Sequence, residues 1–231
     1  MSLFTRSNSR RAFAPSFHPP LEFGDCLDRI EFEQRYAHTP QLKKAELLEG
    51  IVYMSPCVPH AHGRLHLKMA SWLCLYEEET PGAAGSSSAS VRLDRINETQ
   101  PDLLLMDTLP TGACKIAADD HLEGPPELCV EIASSSASYD LHQKKRINQR
   151  SGVQEYLAWD TNSNEIHWWG LVEGEYAPLS MDDCGVVRSQ VFPGLWLHVP
   201  AAQQDDWKLV TATLREGLDS EEHQQYAAGR K

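Results

Sequence analysis

Two short apolar runs, each carrying an acid, constrain this chain more than any other feature. Glu127-Leu128-Cys129-Val130-Glu131-Ile132-Ala133 follows Pro125-Pro126, and Asp102-Leu103-Leu104-Leu105-Met106 follows Pro101. Apolar runs this short, opened by proline, read as strands rather than helices. An ionised carboxylate within such a run is costly to desolvate unless it is paired or holds a metal ion. Glu131 therefore lies on a solvent face, pairs with a lysine from a facing helix, or serves as a ligand.

The remaining elements follow from periodicity. Leu27–Tyr36 reads as a short surface helix. Ala45–Met54 reads as a β-hairpin turning at Glu49-Gly50, and His62–Glu78 as a helix with Leu65, Met69, Leu73 and Tyr76 on one face. Pro81–Ser90, rich in Gly, Ala and Ser, reads as a loop feeding a strand near Ser90–Leu93. Tyr139–Arg150 reads as a basic helix ended by Gly152, Glu155–Trp159 and Glu165–Leu171 as strands, and Val186–Val199 as a last β segment interrupted by Pro193-Gly194. Helix-separated and hairpin-linked strands in one chain predict an α/β protein, a mixed β-sheet flanked by helices. It lacks the Gly-rich strand-to-helix turn of a dinucleotide site.

At 231 residues the chain suits one domain over residues 25–202. Residues 1–24, with Arg6, Arg10 and Arg11 among serines and prolines, are expected to be a disordered arm, and residues 203–231 a polar helix fraying into a tail. No apolar stretch approaches the roughly 18–20 residues that span a bilayer, so a soluble, cytoplasmic protein is expected. The six cysteines show no CxxC spacing, which argues against a zinc ribbon, and Cys129 reads as a buried reduced thiol. The net charge of −12 weighs against a nucleic-acid partner, although the field over the site matters more than the total.

Carboxylates on neighbouring strands can share one hard cation. Mg²⁺ takes oxygen ligands and keeps several waters, one of which can become a nucleophile. Phosphodiester hydrolysis uses that arrangement, with an ammonium group steadying the developing charge. Lys144, on the helix after Glu131, is the candidate amine, although Lys144-Lys145-Arg146 is by default a solvated helix face.

Pro101-Asp102 followed by Glu131 on the next strand resembles the PD-(D/E)xK superfamily of restriction-endonuclease-like folds, and more narrowly its Uma-type restriction endonucleases. The resemblance spans about residues 30–200. It is carried by Glu46-Leu47-Leu48-Glu49-Gly50 with Met54-Ser55-Pro56 and His62, Gln100-Pro101-Asp102, Val130-Glu131-Ile132-Ala133-Ser134, Asp140-Leu141-His142-Gln143-Lys144, Gly152-Val153-Gln154-Glu155-Tyr156, and Ser189-Gln190-Val191-Phe192-Pro193-Gly194-Leu195. It implies a Mg²⁺- or Mn²⁺-dependent endonuclease acting on DNA, with Asp102, Glu131 and Glu46 as metal ligands and Lys144 supplying positive charge. The superfamily's usual lysine place holds Ala133, and the Uma-type pattern resembles one in which that lysine has moved to the helix. Ser135, Ala137 and Asn148 depart from the proline, threonine and tyrosine frequent in the family.

His60, His62 and His66 cluster at the helix start. His62 and His66 share a face, but Gly63 stands where a zinc hydrolase would have its glutamate, so surface roles are favoured and His62 is left as a possible cleft residue. Trp159, Trp168, Trp169 and Trp196 are expected to pack in a core or a dimer surface rather than stack on bases. Two further readings stand beside the endonuclease: a catalytically silent nuclease fold kept for binding or assembly, and a metal-dependent hydrolase of small phosphate esters. A homodimer is expected from the sheet edges that such a fold leaves exposed.

Overall fold

The computed structural model describes residues 19–55, 58–134 and 139–230. Most of the expected disordered arm falls outside that range, as do Pro56, Ser135 and Ala137. The first helix, α1 (Arg29–Ala37), is capped by the Asp28 carboxylate, which accepts the Glu31 N–H. β1 (Ala45–Leu48) and β2 (Ile51–Met54) form the expected hairpin, with Glu46 opposite Tyr53. Its turn residues Glu49 and Gly50 have φ of 53° and 79°, the left-handed pair that a two-residue hairpin turn requires. Next comes α2 (His60–Glu79), starting slightly ahead of the expected His62.

Short strands follow: β3 (Ala83–Ser87), β4 (Val91–Arg92), β5 (Glu98–Thr99), β6 (Leu103–Asp107), β7 (Lys115–Ile116), β8 (Leu122–Glu123) and β9 (Leu128–Ala133). A π-helical turn (Tyr139–Lys144) runs into α3 (Lys145–Ser151), which Gly152 ends in the left-handed conformation. β10 (Glu155–Asp160), β11 (Glu165–Val172) and β12 (Glu175–Pro178) form a meander, and β13 (Val186–Arg188) pairs with β14 (Trp196–His198). The described chain closes with α4 (Val199–Gln203), α5 (Trp207–Leu218) and α6 (Glu221–Ala228).

The main sheet has the order β12-β11-β10-β9-β6-β3, and β9–β10 is its parallel pair. A second sheet runs β2-β1-β5-β4-β8-β7. The α/β class and the mixed sheet are as the sequence predicts. Strand alternation sends Leu103, Leu105, Leu128, Val130 and Ile132 into the main core, where Met69, Trp72, Leu73 and Tyr76 of α2 meet them. Trp159 and Trp168 belong to this core, and Trp72 meets Trp168 edge-on at 5.8 Å. Cys129 is a buried free thiol among Val153, Tyr156 and Ala158 on the other face.

Two expectations fail. The expected loop Pro81–Ser90 contains β3, which pairs with β6 along its full length. Its small residues carry no strand signal, yet they let α2 lie close: a Cβ at Gly85 would sit 2.9 Å from the Glu77 carboxylate. The segment expected to be one polar, fraying helix forms α5 and α6 instead. Val210 and Leu214, one turn apart, are fully buried in the main core, and Arg230 pairs with Asp107 at 2.5 Å. A narrow apolar stripe, rather than mean polarity, decides whether such a helix docks. Among the described residues, no helix is long and apolar enough to cross a membrane.

Candidate active site

β6 and β9 pair antiparallel, with Leu103 opposite Val130 and Leu104 opposite Cys129. One further step of the same register sets Asp102 opposite Glu131. Because Leu103, Val130 and Ile132 point into the main core, both acids turn to the opposite face. There they line a cavity of about 270 Å³ together with Glu46, Asp140, Lys44, Lys144 and His62. The four site residues expected from sequence, Asp102, Glu131, Lys144 and Glu46, thus share one cavity.

Lys144 sits at the floor, its side chain 3% exposed. Its Nζ lies 2.5 Å from Glu131 Oε1, 3.0 Å from Glu46 Oε1 and 3.4 Å from Asp140 Oδ1. The π-helical turn places Asp140 and Lys144 on this face together, and the Tyr156 hydroxyl pins it by donating to the Asp140 carbonyl at 2.9 Å. Ala133, two residues after Glu131, is buried, and the amine beside Glu131 comes from the helix. Burial opposes the charge on Lys144, but Glu131, Glu46 and Asp140 outweigh it and hold the ammonium form well above its ordinary range. Glu46 Oε1 also accepts the Gln100 N–H at 2.8 Å.

Asp102 is held differently. Its Oδ2 accepts the Ile132 N–H at 2.8 Å, its Oδ1 accepts from Lys44 Nζ at 3.1 Å, and His62 Nε2 lies 3.7 Å away. Burial pushes this carboxyl up, but Lys44 and the Ile132 N–H, with Lys144 and His62, bring it below its ordinary value. His66 Nε2 lies 2.9 Å from the Asp102 carbonyl oxygen and 3.3 Å from Ser87 Oγ, and its ring stacks on His62 at 6.3 Å. Burial drives Glu131 well above the usual carboxylate range, further than Lys144 can pull it back, and Asp140 and Asp102 add to the rise. By residue type the lining carries four carboxylates, Glu46, Asp102, Glu131 and Asp140, against the two amines of Lys44 and Lys144.

That excess suits one divalent cation. Glu131 Oε1 is buried and, although within ion-pair distance of Lys144, lacks the angles of a hydrogen bond. Among the described residues, no three His, Cys, Asp or Glu side chains group closely enough to form a metal cage. An ion that takes one or two carboxylates and keeps its water, as Mg²⁺ does, would find its oxygen donors in Asp102 and Glu131.

Sequence reasoning passed over Lys44 and gave Asp140 no role. Lys44 stands two residues before Glu46, and residues two apart on an extended segment share a face, so the signal was present. Asp140 precedes Lys144 by four, a helical ion-pair spacing.

The sequence matches a family model described as "Uma2: Putative restriction endonuclease" over residues 30–200. The chain belongs to the Uma2 family. Among solved structures, one described as a "putative nuclease belonging to DUF820" from Anabaena variabilis is similar, with a TM-score of 0.58 at 14% identity over 75% of this chain and 97% of that one. At that identity the likeness concerns the fold. No curated protein matches.

The closing motif of this Uma2 chain has a structural use. Glu155 on β10 is fully buried, and its carboxylate accepts from Ser189 Oγ at 2.8 Å, Gln190 N at 2.6 Å and Trp168 Nε1 at 3.1 Å. Burial raises its pKa, and these donors act against the rise. Asn148 is buried with an Oδ1 that has no hydrogen-bond partner among the described residues.

Proposed function

We propose that this chain is a Mg²⁺- or Mn²⁺-dependent endonuclease that hydrolyses DNA phosphodiester bonds. The observation that carries the reading is Asp102 facing Glu131 across the β6–β9 pairing, in a recessed cavity with two amines and an excess of carboxylates. Asp102 and Glu131 are the residues that would hold the cation, with Glu46 assisting. When bound, the cation supplies charge neutralisation at the phosphate and lowers the pKa of a coordinated water. Lys144 fixes Glu131 and Glu46 in place and gives the floor a permanent positive charge. Lys44, with 22% of its side chain exposed, is the amine able to turn toward a phosphate oxygen and stabilise charge there. His62, at the wall, can hold or release a proton near the leaving group.

Single- and double-stranded DNA incubated with Mg²⁺ or Mn²⁺ tests this, beside an Asp102→Ala control. Cleavage by the wild type and a loss of at least about 100-fold in the control are expected. Equal cleavage by both proteins, or none by either, refutes it.

A catalytically silent nuclease fold is the second reading. It is favoured by the amines that already occupy the carboxylates and by the lack of a three-residue metal cluster among the described residues. Titration with Mg²⁺ or Mn²⁺ at millimolar levels separates the two, since a silent fold needs no cation.

A further inference from the structure

Three aromatic rings, Phe23, Tyr53 and Tyr139, cluster beside the elements that line the cavity, though none is part of its wall. Tyr53 lies opposite Glu46 in the hairpin register, so its ring stands on the same face as a cavity-lining carboxylate. Tyr139 directly precedes the lining residue Asp140, and its ring meets Tyr53 edge-on at 4.9 Å. Phe23 meets Tyr53 from another side at 5.7 Å. Phe23 is 62% and Tyr139 40% exposed, so two of the three rings present much of their surface to solvent. Val58, also 62% exposed, lines the same cavity. Exposed aromatic clusters are costly in solubility and mark binding surfaces more often than isolated apolar residues do.

The cavity itself is small and deep. Its volume of about 270 Å³ lies just below the usual range of small-ligand pockets, about 300–1,000 Å³. Its acids are nearly out of reach, with Glu131 2%, Glu46 6% and Asp102 7% exposed. A phosphate must descend to them with little else beside it. In a duplex the bases are stacked on each other and cannot offer a face to Tyr53 or Phe23. An unpaired base can, because every base has an open π-face.

We infer that Phe23, Tyr53 and Tyr139 form a stacking platform for an unpaired base beside the phosphate at Asp102 and Glu131, so that the substrate is single-stranded or locally unpaired DNA. This rests on the nuclease reading and narrows its substrate.

Binding is measured by fluorescence anisotropy with the full chain carrying Lys44→Ala, which keeps the three carboxylates proposed to hold the cation, so that turnover does not intervene, in Mg²⁺. The probes are a labelled mixed-sequence oligonucleotide, its blunt duplex and a nucleoside monophosphate. The single strand is expected to bind at least about tenfold tighter than either other probe. Phe23→Ser with Tyr139→Ser, and separately Tyr53→Leu, are expected to weaken single-strand binding at least about fivefold each, the loss of one stacked base. Duplex binding should stay as it was, and unchanged thermal unfolding certifies the exposed-ring variant as folded. Equal affinity for single strand and duplex, equal affinity for the monophosphate, or full single-strand affinity in a folded exposed-ring variant overturns the platform. Cleavage of the wild type's DNA reports separately. Efficient cutting of fully paired duplex would overturn the platform while leaving the nuclease standing. Ring-dependent strand binding without cutting would do the reverse.

Discussion

Lys44 and Lys144 carry the same charge and face the same cavity, but their surroundings assign them different work. Lys144 is enclosed by three carboxylates, so removing it strands buried negative charge, a change that typically costs about 3–5 kcal/mol. Lys144→Ala is therefore expected to unfold several degrees lower, as calorimetry would show, whereas Lys44→Ala, which leaves Asp102 its Ile132 N–H donor, should lose less stability and chiefly lose cleavage. Equal stability of the two variants would refute the division. A second residue, Glu98, predicts a pH effect away from the site. Burial, with Glu33 adding to it, raises its pKa to about 8 from the ordinary 4.5. Between those values the folded protein binds the proton and the unfolded chain does not, so stability falls as pH rises from 4.5 to 8. Tm measured across pH 5–8.5 should decline, and Glu98→Gln should flatten the decline; an identical slope in both proteins would sink the prediction. At this scale the sequence made the acids legible, because a carboxylate in an apolar strand has few explanations. It left Lys44 unnoticed, because a lysine beside a strand is ordinary until the opposing acid is located in space.

Elements were legible in proportion to how strongly their own residues demanded them. The β1–β2 hairpin announced itself through Glu49-Gly50, since a two-residue turn needs positive φ and glycine tolerates it. Gly50→Ala is expected to cost about 1 kcal/mol or more, because its φ of 79° suits no L side chain and the added Cβ would meet the Leu27 carbonyl oxygen at 3.3 Å. Chemical denaturation would measure it, and a variant as stable as the wild type would show the turn to be relaxed elsewhere. β3 stayed hidden for the opposite reason. Its side chains contribute little, and the strand exists because β6 offers a partner edge and α2 a lid, both distant in sequence. α5 was misjudged because the polar residues on either side of it, 203–206 and 219–225, masked the apolar positions Val210 and Leu214 that it buries. Leu214→Ala should therefore cost about 2–5 kcal/mol, the penalty of a core leucine, where a fraying tail would lose nothing measurable.

For the whole molecule, a net charge of −12 and a polyanionic substrate conflict unless the site's own charge is completed from outside. The lining holds two more carboxylates than amines, and Glu131 relieves the excess by keeping its proton unusually well. A divalent cation relieves it better, since it matches that excess and displaces the proton, so binding should stabilise the folded state over the unfolded chain. Millimolar Mg²⁺ is therefore expected to raise Tm by more than KCl of equal ionic strength does. The comparison matters because any salt screens the self-repulsion of so acidic a chain. At 100 times the dissociation constant the specific part amounts to about 2.7 kcal/mol. Glu131→Gln and Asp102→Asn should each abolish that specific part while keeping the response to KCl. If Mg²⁺ and KCl act alike on the wild type, or if the variants keep the full Mg²⁺ response, the carboxylate excess is not a cation site. The cavity would then serve as an anchor of buried ion pairs beneath a binding surface.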